Sequence, residues 1–229
     1  MTNRNKSAII AAKIIREVFY MTITWQGHSC FLLEQDGFCV VTDPYTGVPG
    51  YPALELEAHE VFCSHGHFDH NYTDGVKLLP KMDNPFTVEE VASFHDGQKG
   101  ALRGANTIRI FTAGGVRVCH LGDLGHQLSK EQLSAIGKCD VVLVPVGGTF
   151  TVDAAGAKAV CDALKPRIVV PMHYRHAPYG LEKLSGVEDF LRLWPASAVR
   201  RLPGSSFAYL PKEGSGTDTP VVLVPKYPA

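Results

Sequence analysis

From Met21 the chain is laid out in short runs of alternating or continuous apolar residues. Thr22–Trp25, Ser29–Glu34 and Phe38–Thr42 read as strands. Gln35-Asp36-Gly37 between the last two is a hairpin signal, and Asp43-Pro44 ends the third strand. Glu60–Cys63 is a further short strand, followed by Phe86–Phe94, Thr107–Phe111 and Gly115–His120. The period then changes. Ser129–Ile136, Val152–Leu164 and Gly186–Trp194 repeat at three and four residues and predict helices, the first behind a serine cap and the second closed by Pro166. Between them Asp140–Val146 and Arg167–Pro171 are continuous apolar runs, as strands buried on both faces require. Ser206–Leu210 and Val221–Val224 are late strands, and Gly214-Ser215-Gly216-Thr217 reads as a flexible loop. Meanders followed by β-α-β units predict one α/β domain over residues 21–229. Residues 1–20 then form an N-terminal extension, because Lys13 and Arg16 break their apolar stretch and no signal-peptide cleavage pattern follows.

Composition narrows the setting. The 229 residues suffice for a buried core, and the net charge of −1 without a basic stripe argues against nucleic acid. No segment is long and apolar enough to span a bilayer. The six cysteines lie scattered, without a C-x-x-C pair, and read as buried thiols of a reducing cytoplasm. A small-molecule substrate is the expected partner, and a homo-oligomer is compatible with the chain.

The chemistry concentrates in "CSHGHFDHN", which holds His65, His67, Asp69 and His70. Chance assembly of H-x-H-x-D-H at this composition has odds of about one in a thousand. In extended chain His65 and His67 point to one side, so both can face one ion. Asp69 and His70 follow where the chain turns. Three more metal-competent residues occupy the same place relative to a strand: His95 after "FTVEEVASF", Asp123 in "HLGDLGH" and His173 in "VVPMHYRH". Residues just past strand ends converge on one rim of a sheet. Seven such ligands suit two ions, with His65, His67 and His95 on one, Asp69, His70 and His173 on the other, and Asp123 between. Nitrogen and oxygen donors favour zinc, with manganese or iron as alternatives. Water shared by two such cations would lose a proton near neutral pH and serve as nucleophile.

These motifs resemble the metallo-β-lactamase-fold superfamily, from Met21 to about residue 210. "TWQGHSCFLLE", "VTDPY", "HLGDLGH" and "LKPRIVVPMHY" are most similar to its ascorbate-6-phosphate-lactonase-like bacterial branch. The resemblance implies a four-layer αβ/βα sandwich, two mixed sheets flanked by helices, with a dinuclear site at one edge. It also implies the pairing of ligands to ions, and hydrolysis of a small ester, lactone or phosphodiester. Asp123 stands where class B β-lactamases carry a cysteine, which argues against antibiotic hydrolysis. His67 stands where oxygen-reducing diiron relatives carry a carboxylate, which argues against redox chemistry. The chain also shows neither the basic arm of the tRNA-processing relatives nor the C-terminal helical region of the glyoxalase II group. The competing readings are a sulfur-dioxygenase-like redox enzyme and a non-catalytic metal-binding protein.

Around the ligands several roles stay open. Asp69 is a candidate catalytic carboxylate. Asp43 either starts a turn or orients a ligand histidine, and His28 either faces the site or is structural. His126 is a candidate proton donor to the leaving group. Arg103, Asn106 and Tyr174 are candidate substrate contacts, Arg103 as a clamp for phosphate or carboxylate.

Overall fold

The computed structural model describes residues 20–210 and 220–227. The extension up to residue 19 and the Gly214–Thr217 loop lie outside them. Two mixed sheets face each other. The first has five strands in the order β13-β1-β2-β3-β5, from β1 (Met21–Gly27), β2 (Cys30–Gln35), β3 (Phe38–Thr42), β5 (Glu60–Phe62) and β13 (Ser206–Tyr209). Asp36 and Gly37 both take left-handed backbone conformations in the β2–β3 turn, the geometry that suits the twist of a tight hairpin. The second sheet has seven strands in the order β12-β14-β11-β10-β9-β8-β7. They are β7 (Thr87–Phe94), β8 (Ala105–Ala113), β9 (Val116–His120), β10 (Val141–Pro145), β11 (Ile168–Met172), β12 (Val199–Arg201) and β14 (Val221–Val224). A two-stranded parallel pair, β4 (Leu56–Ala58) and β6 (Val76–Leu78), stands apart.

Alternation in the first sheet sends Met21, Ile23, Phe31, Leu33 and Val40 into the space between the sheets, where they meet Ile108, Ile110 and Val118. All of β10 is buried, as its continuous apolar run predicted. Among the described residues three α-helices belong to the second sheet's half: α1 (Lys130–Ile136), α2 (Ala154–Leu164) and α3 (Glu188–Leu191). Ser129 and Gln132 form a reciprocal capping box at α1, and Asp153 caps α2 through Gly156 N. Only α3 departs clearly from expectation. It is one turn long rather than spanning residues 186–194, since no side chain caps its start and Trp194 is followed by Pro195.

The sandwich is present, with one layer built differently among the described residues. The outer face of the first sheet carries Cys30, Val41 and Val61. Among the described residues it packs on Tyr45, Val48, Leu54 and the β4–β6 pair. β4, β6 and β12, at three residues each, carry too little periodicity to be predicted, whereas β5, equally short, lies within the predicted Glu60–Cys63 strand.

Parallel and antiparallel pairings place the carboxyl ends of β1, β3 and β5 on one side of the first sheet. They do the same for β7, β9, β10 and β11 in the second. His28, Asp43, His65–His70, His95, Asp123 and His173 all follow those ends. The site is the shared rim.

Candidate metal centre

Sharp turns aim the site residues inward. His28, Asp43 and His173 each leave a strand with φ between 45° and 52°, a left-handed conformation that costs a non-glycine residue about 1 kcal/mol or more. Such conformations persist where surrounding packing imposes them. At His173 the packing is visible, since a Cβ on Gly147 would lie 2.2 Å from the His173 carbonyl oxygen. The loops after β10 and β11 approach this closely only because residue 147 is glycine.

The two halves of the rim meet at Asp123, which is buried. Its Oδ2 lies 3.1 Å from His95 Nε2 and 3.2 Å from His173 Nε2, and its Oδ1 lies 3.2 Å from His70 Nε2. Donor atoms of His65, His67 and His95 lie within 4.8 Å of one another, as do those of His28, Asp69, His70 and His173. A third set, His65, His70 and Asp123, joins the two. All seven predicted ligands are thus brought together, and His28 stands beside them.

Hydrogen bonds on the far side of three rings set their tautomers. His70 Nδ1 donates to Asp43 Oδ2 at 2.8 Å, and His95 Nδ1 donates to the Phe150 carbonyl at 3.0 Å. His65 Nδ1 donates to Ser64 Oγ at 2.9 Å, while that hydroxyl donates to Asp43 at 2.6 Å. With Nδ1 as the donor, each ring, once neutral, would present only a lone pair at Nε2. Nε2 of His65, His70 and His173 and Oδ1 of Asp123 are buried with no hydrogen-bond partner. With His70 neutral, its Nε2 and Asp123 Oδ1, 3.2 Å apart, would be two acceptors facing each other. Lone pairs converging on one spot away from water require a cation, a proton or a metal ion. The donor set fits a divalent metal.

The electrostatics divide the rings. Burial and the neighbouring His70 push His65 down to about 3, and burial with His173 pushes His28 down to about 4, so both are neutral at pH 7. Burial works against a charge on His70 as well. The carboxylates of Asp123 and Asp43 outweigh it and hold His70 well above the usual imidazole range. His95 is raised too, because the hydrogen bond and charge of Asp123 overcome its burial. In Asp123 and Asp69 burial favours the neutral acid, yet the surrounding imidazoles hold both carboxyls below the ordinary range.

The remaining predicted residues divide. His28 Nε2 donates to Asp69 Oδ2 at 3.3 Å, so it holds that carboxylate from behind. Asp43 receives Ser64 N and Oγ along with His70, the orienting role rather than a simple turn. Arg103 lines the cavity beside the cluster. Three expected contacts lie elsewhere. His126 accepts from Phe94 N at 3.2 Å and donates to the Gln127 carbonyl at 2.8 Å, so both nitrogens are engaged with backbone. Asn106 is buried: its Oδ1 accepts from Asp123 N, and its amide donates to Ser93 Oγ and the Leu121 carbonyl. It positions Asp123 and has no path to substrate. Tyr174 is buried against Trp25, facing a different cavity. All six cysteines are free thiols, with Cys39 and Cys63 half-buried rather than buried.

The cavity over the cluster measures about 380 Å³ and has Phe68, Phe150 and Leu181 in its walls. None of the three is among the residues predicted above. Phe68 sits inside the ligand motif, where an apolar residue between polar ones was the available signal; the other two lie in loops whose path sequence does not reveal. Among the described residues no helix is long and apolar enough to cross a membrane.

Known proteins place this geometry in a family. A beta-lactamase superfamily domain matches residues 22–173. A UPF0173 metal-dependent hydrolase from Archaeoglobus fulgidus is 29% identical over 82% of this chain and 99% of its own length. A UPF0173 protein of Pyrococcus abyssi is 30% identical over 76% of this chain and 93% of its own. Among solved structures, a Thermotoga maritima protein assigned to the Zn-dependent hydrolases of the metallo-β-lactamase superfamily superposes with a TM-score of 0.68. That likeness has 32% identity and covers 91% of this chain and all of the other. The likeness to the lactonase-like branch remains one of motifs. With its rim of histidines and aspartates at the carboxyl ends of two facing sheets, the chain belongs to the beta-lactamase superfamily, among the UPF0173 metal-dependent hydrolases.

Proposed function

We propose that the protein is a dinuclear hydrolase of small esters, lactones or phosphodiesters. One observation carries this: two clusters of ligand atoms meet across Asp123, where Nε2 of His65, His70 and His173 and Oδ1 of Asp123 are buried without a hydrogen-bond partner. His65, His67 and His95 would hold one ion, Asp69, His70 and His173 the other, and Asp123 would contact both. Zinc suits the nitrogen-rich set best, with manganese or iron as alternatives. Bound divalent ions supply Lewis-acid polarisation of the substrate and acidification of water.

The chain's own residues do the rest. Asp69, oriented by His28, lies at the cluster edge facing the cavity and accepts the proton that the attacking water gives up. Asp43 and Ser64 fix the rings of His70 and His65, and the Phe150 carbonyl fixes His95, so the ligands need no rearrangement.

The test is metal analysis of protein purified without chelator, joined to a hydrolysis screen of lactones, phosphodiesters and thioesters. Two zinc or manganese ions per chain with turnover of one such class is the expected outcome. A single iron with oxygen uptake would replace this reading by the redox one.

A further inference from the structure

The cavity wall says what kind of molecule the cluster acts on. Besides the cluster itself, the lining consists of Phe68, Phe150, Leu181 and Arg103. Phe68 is 56% exposed, although it lies between two predicted ligands in sequence. A large aromatic ring held in solvent beside a reactive centre is a place for an apolar ligand group. Arg103 is the lining's cation. Its guanidinium sits 5.7 Å from the centre of the Phe150 ring and donates from Nη2 to the Thr149 carbonyl at 3.2 Å. No carboxylate of the described residues pairs with it.

The backbone beneath Arg103 is built to hold it there. Asp96 accepts hydrogen bonds from the amides of Gln98, Gly100, Leu102 and Arg103, at 2.7 to 3.0 Å. One carboxylate therefore folds the whole 96–103 loop. The loop begins next to His95, whose own ring is tied to Phe150. Arg103, Phe150 and His95 are thus one mechanical unit, and the fork of Arg103 keeps donors free for an anion.

What the lining lacks matters equally. It offers no serine, threonine, asparagine or glutamine side chain. A polyhydroxylated sugar would leave its hydroxyls unsatisfied there, at a cost of about 1–3 kcal/mol for each one buried.

Resting on the hydrolase reading above, we infer that the substrate is an ester or lactone with an apolar body and one separate anionic group. The apolar body lies between Phe68, Phe150 and Leu181, the anion meets Arg103, and the scissile carbonyl faces the histidine cluster. The volume suits a small molecule rather than a polymer.

Binding to metal-free protein separates this inference from the reading it rests on. Calorimetry would compare phenylbutyrate, its neutral analogue phenylbutanol, and glycerol phosphate, an anion without an apolar body. Phenylbutyrate is expected to bind about tenfold or more tightly than either, as a charge-assisted contact plus ring burial provides. Arg103→Met should abolish its advantage over phenylbutanol, and Arg103→Lys should restore part of it. Phe150→Ala should weaken both phenyl ligands alike. With metal added, para-nitrophenyl glutarate monoester should be hydrolysed faster than para-nitrophenyl hexanoate, and Arg103→Met should level the two. Equal binding of phenylbutyrate and phenylbutanol, tighter binding of glycerol phosphate, or an anion preference that survives Arg103→Met would overturn the inference. If binding follows the expected order while the metal-loaded protein turns over neither ester, the hydrolase reading fails and the ligand class stands.

Discussion

Asp123 is where the residues of the site depend most on one another. It faces His70, His95 and His173 at 3.1 to 3.2 Å, and its backbone amide is fixed by Asn106. Asp123→Asn keeps the size and the backbone contact but removes the charge and one ligand oxygen. Turnover should fall on the order of a thousandfold or more, with metal content dropping toward one ion per chain. Near-normal turnover with two bound ions would reduce Asp123 to a turn former. The same carboxylate sets a proton balance. In metal-free protein it and Asp43 keep His70 protonated above the ordinary imidazole range, and Asp123 does the same for His95. A ligand imidazole must be neutral, so metal and proton compete for these two rings. Metal affinity should therefore rise with pH through and above the usual imidazole range, and binding near pH 7 should release about one or two protons. Calorimetry in buffers of different ionisation enthalpy counts them; release of none would mean that His70 and His95 are not ligands.

Each element contributes to the site chiefly through what happens just past its carboxyl end. Strand identity was legible because β1 alternates and β10 and β11 are continuously apolar, as their burial demands. The ligands were legible because polar residues just after apolar runs are conspicuous. The supporting roles were not. His126 sits three residues from Asp123 and Asn106 eleven from His95, so both looked near the chemistry in sequence. Their directions are set by pairings between β7, β8 and β9 that spacing does not encode. Glycines show the same contrast. Gly66 lies inside the ligand motif, yet a Cβ there would meet nothing within 4 Å. Gly147 lies outside any motif, and its Cβ would collide with the His173 backbone. Gly66→Ala should leave stability within about 0.5 kcal/mol and metal content unchanged, whereas Gly147→Ala should cost about 2 kcal/mol or more. In the second variant the displaced His173 should also weaken one ion, read by elemental analysis. Equal tolerance at both positions would show that the loop after β10 is free to move.

At the scale of the whole molecule the cluster lies between two sheets that otherwise meet through apolar side chains. Asp43 and His65–His70 come from the five-stranded sheet, whereas His95, Asp123 and His173 come from the seven-stranded one. Ions bound there would tie the two halves together, and unfolding would have to release them. A ligand that binds only the folded state at about a thousandfold over its dissociation constant adds about 4 kcal/mol. For a domain of this size that corresponds to a rise in Tm of roughly 10 °C. Chelator treatment should lower the Tm by about that much, and zinc should restore it. The effect should also depend on pH with a defined sign. In the metal-free chain His70 and His95 bind protons more tightly folded than unfolded, so their contribution is full below the ordinary imidazole pKa. It is lost as pH rises through their raised folded values. The gap between metal-bound and metal-free Tm should therefore widen as pH increases above about 6.5, the ordinary imidazole value. Thermal unfolding of both forms at several pH values measures that gap. A gap that narrows with rising pH would mean that the two histidines do not hold, in the metal-free protein, the protons that metal displaces.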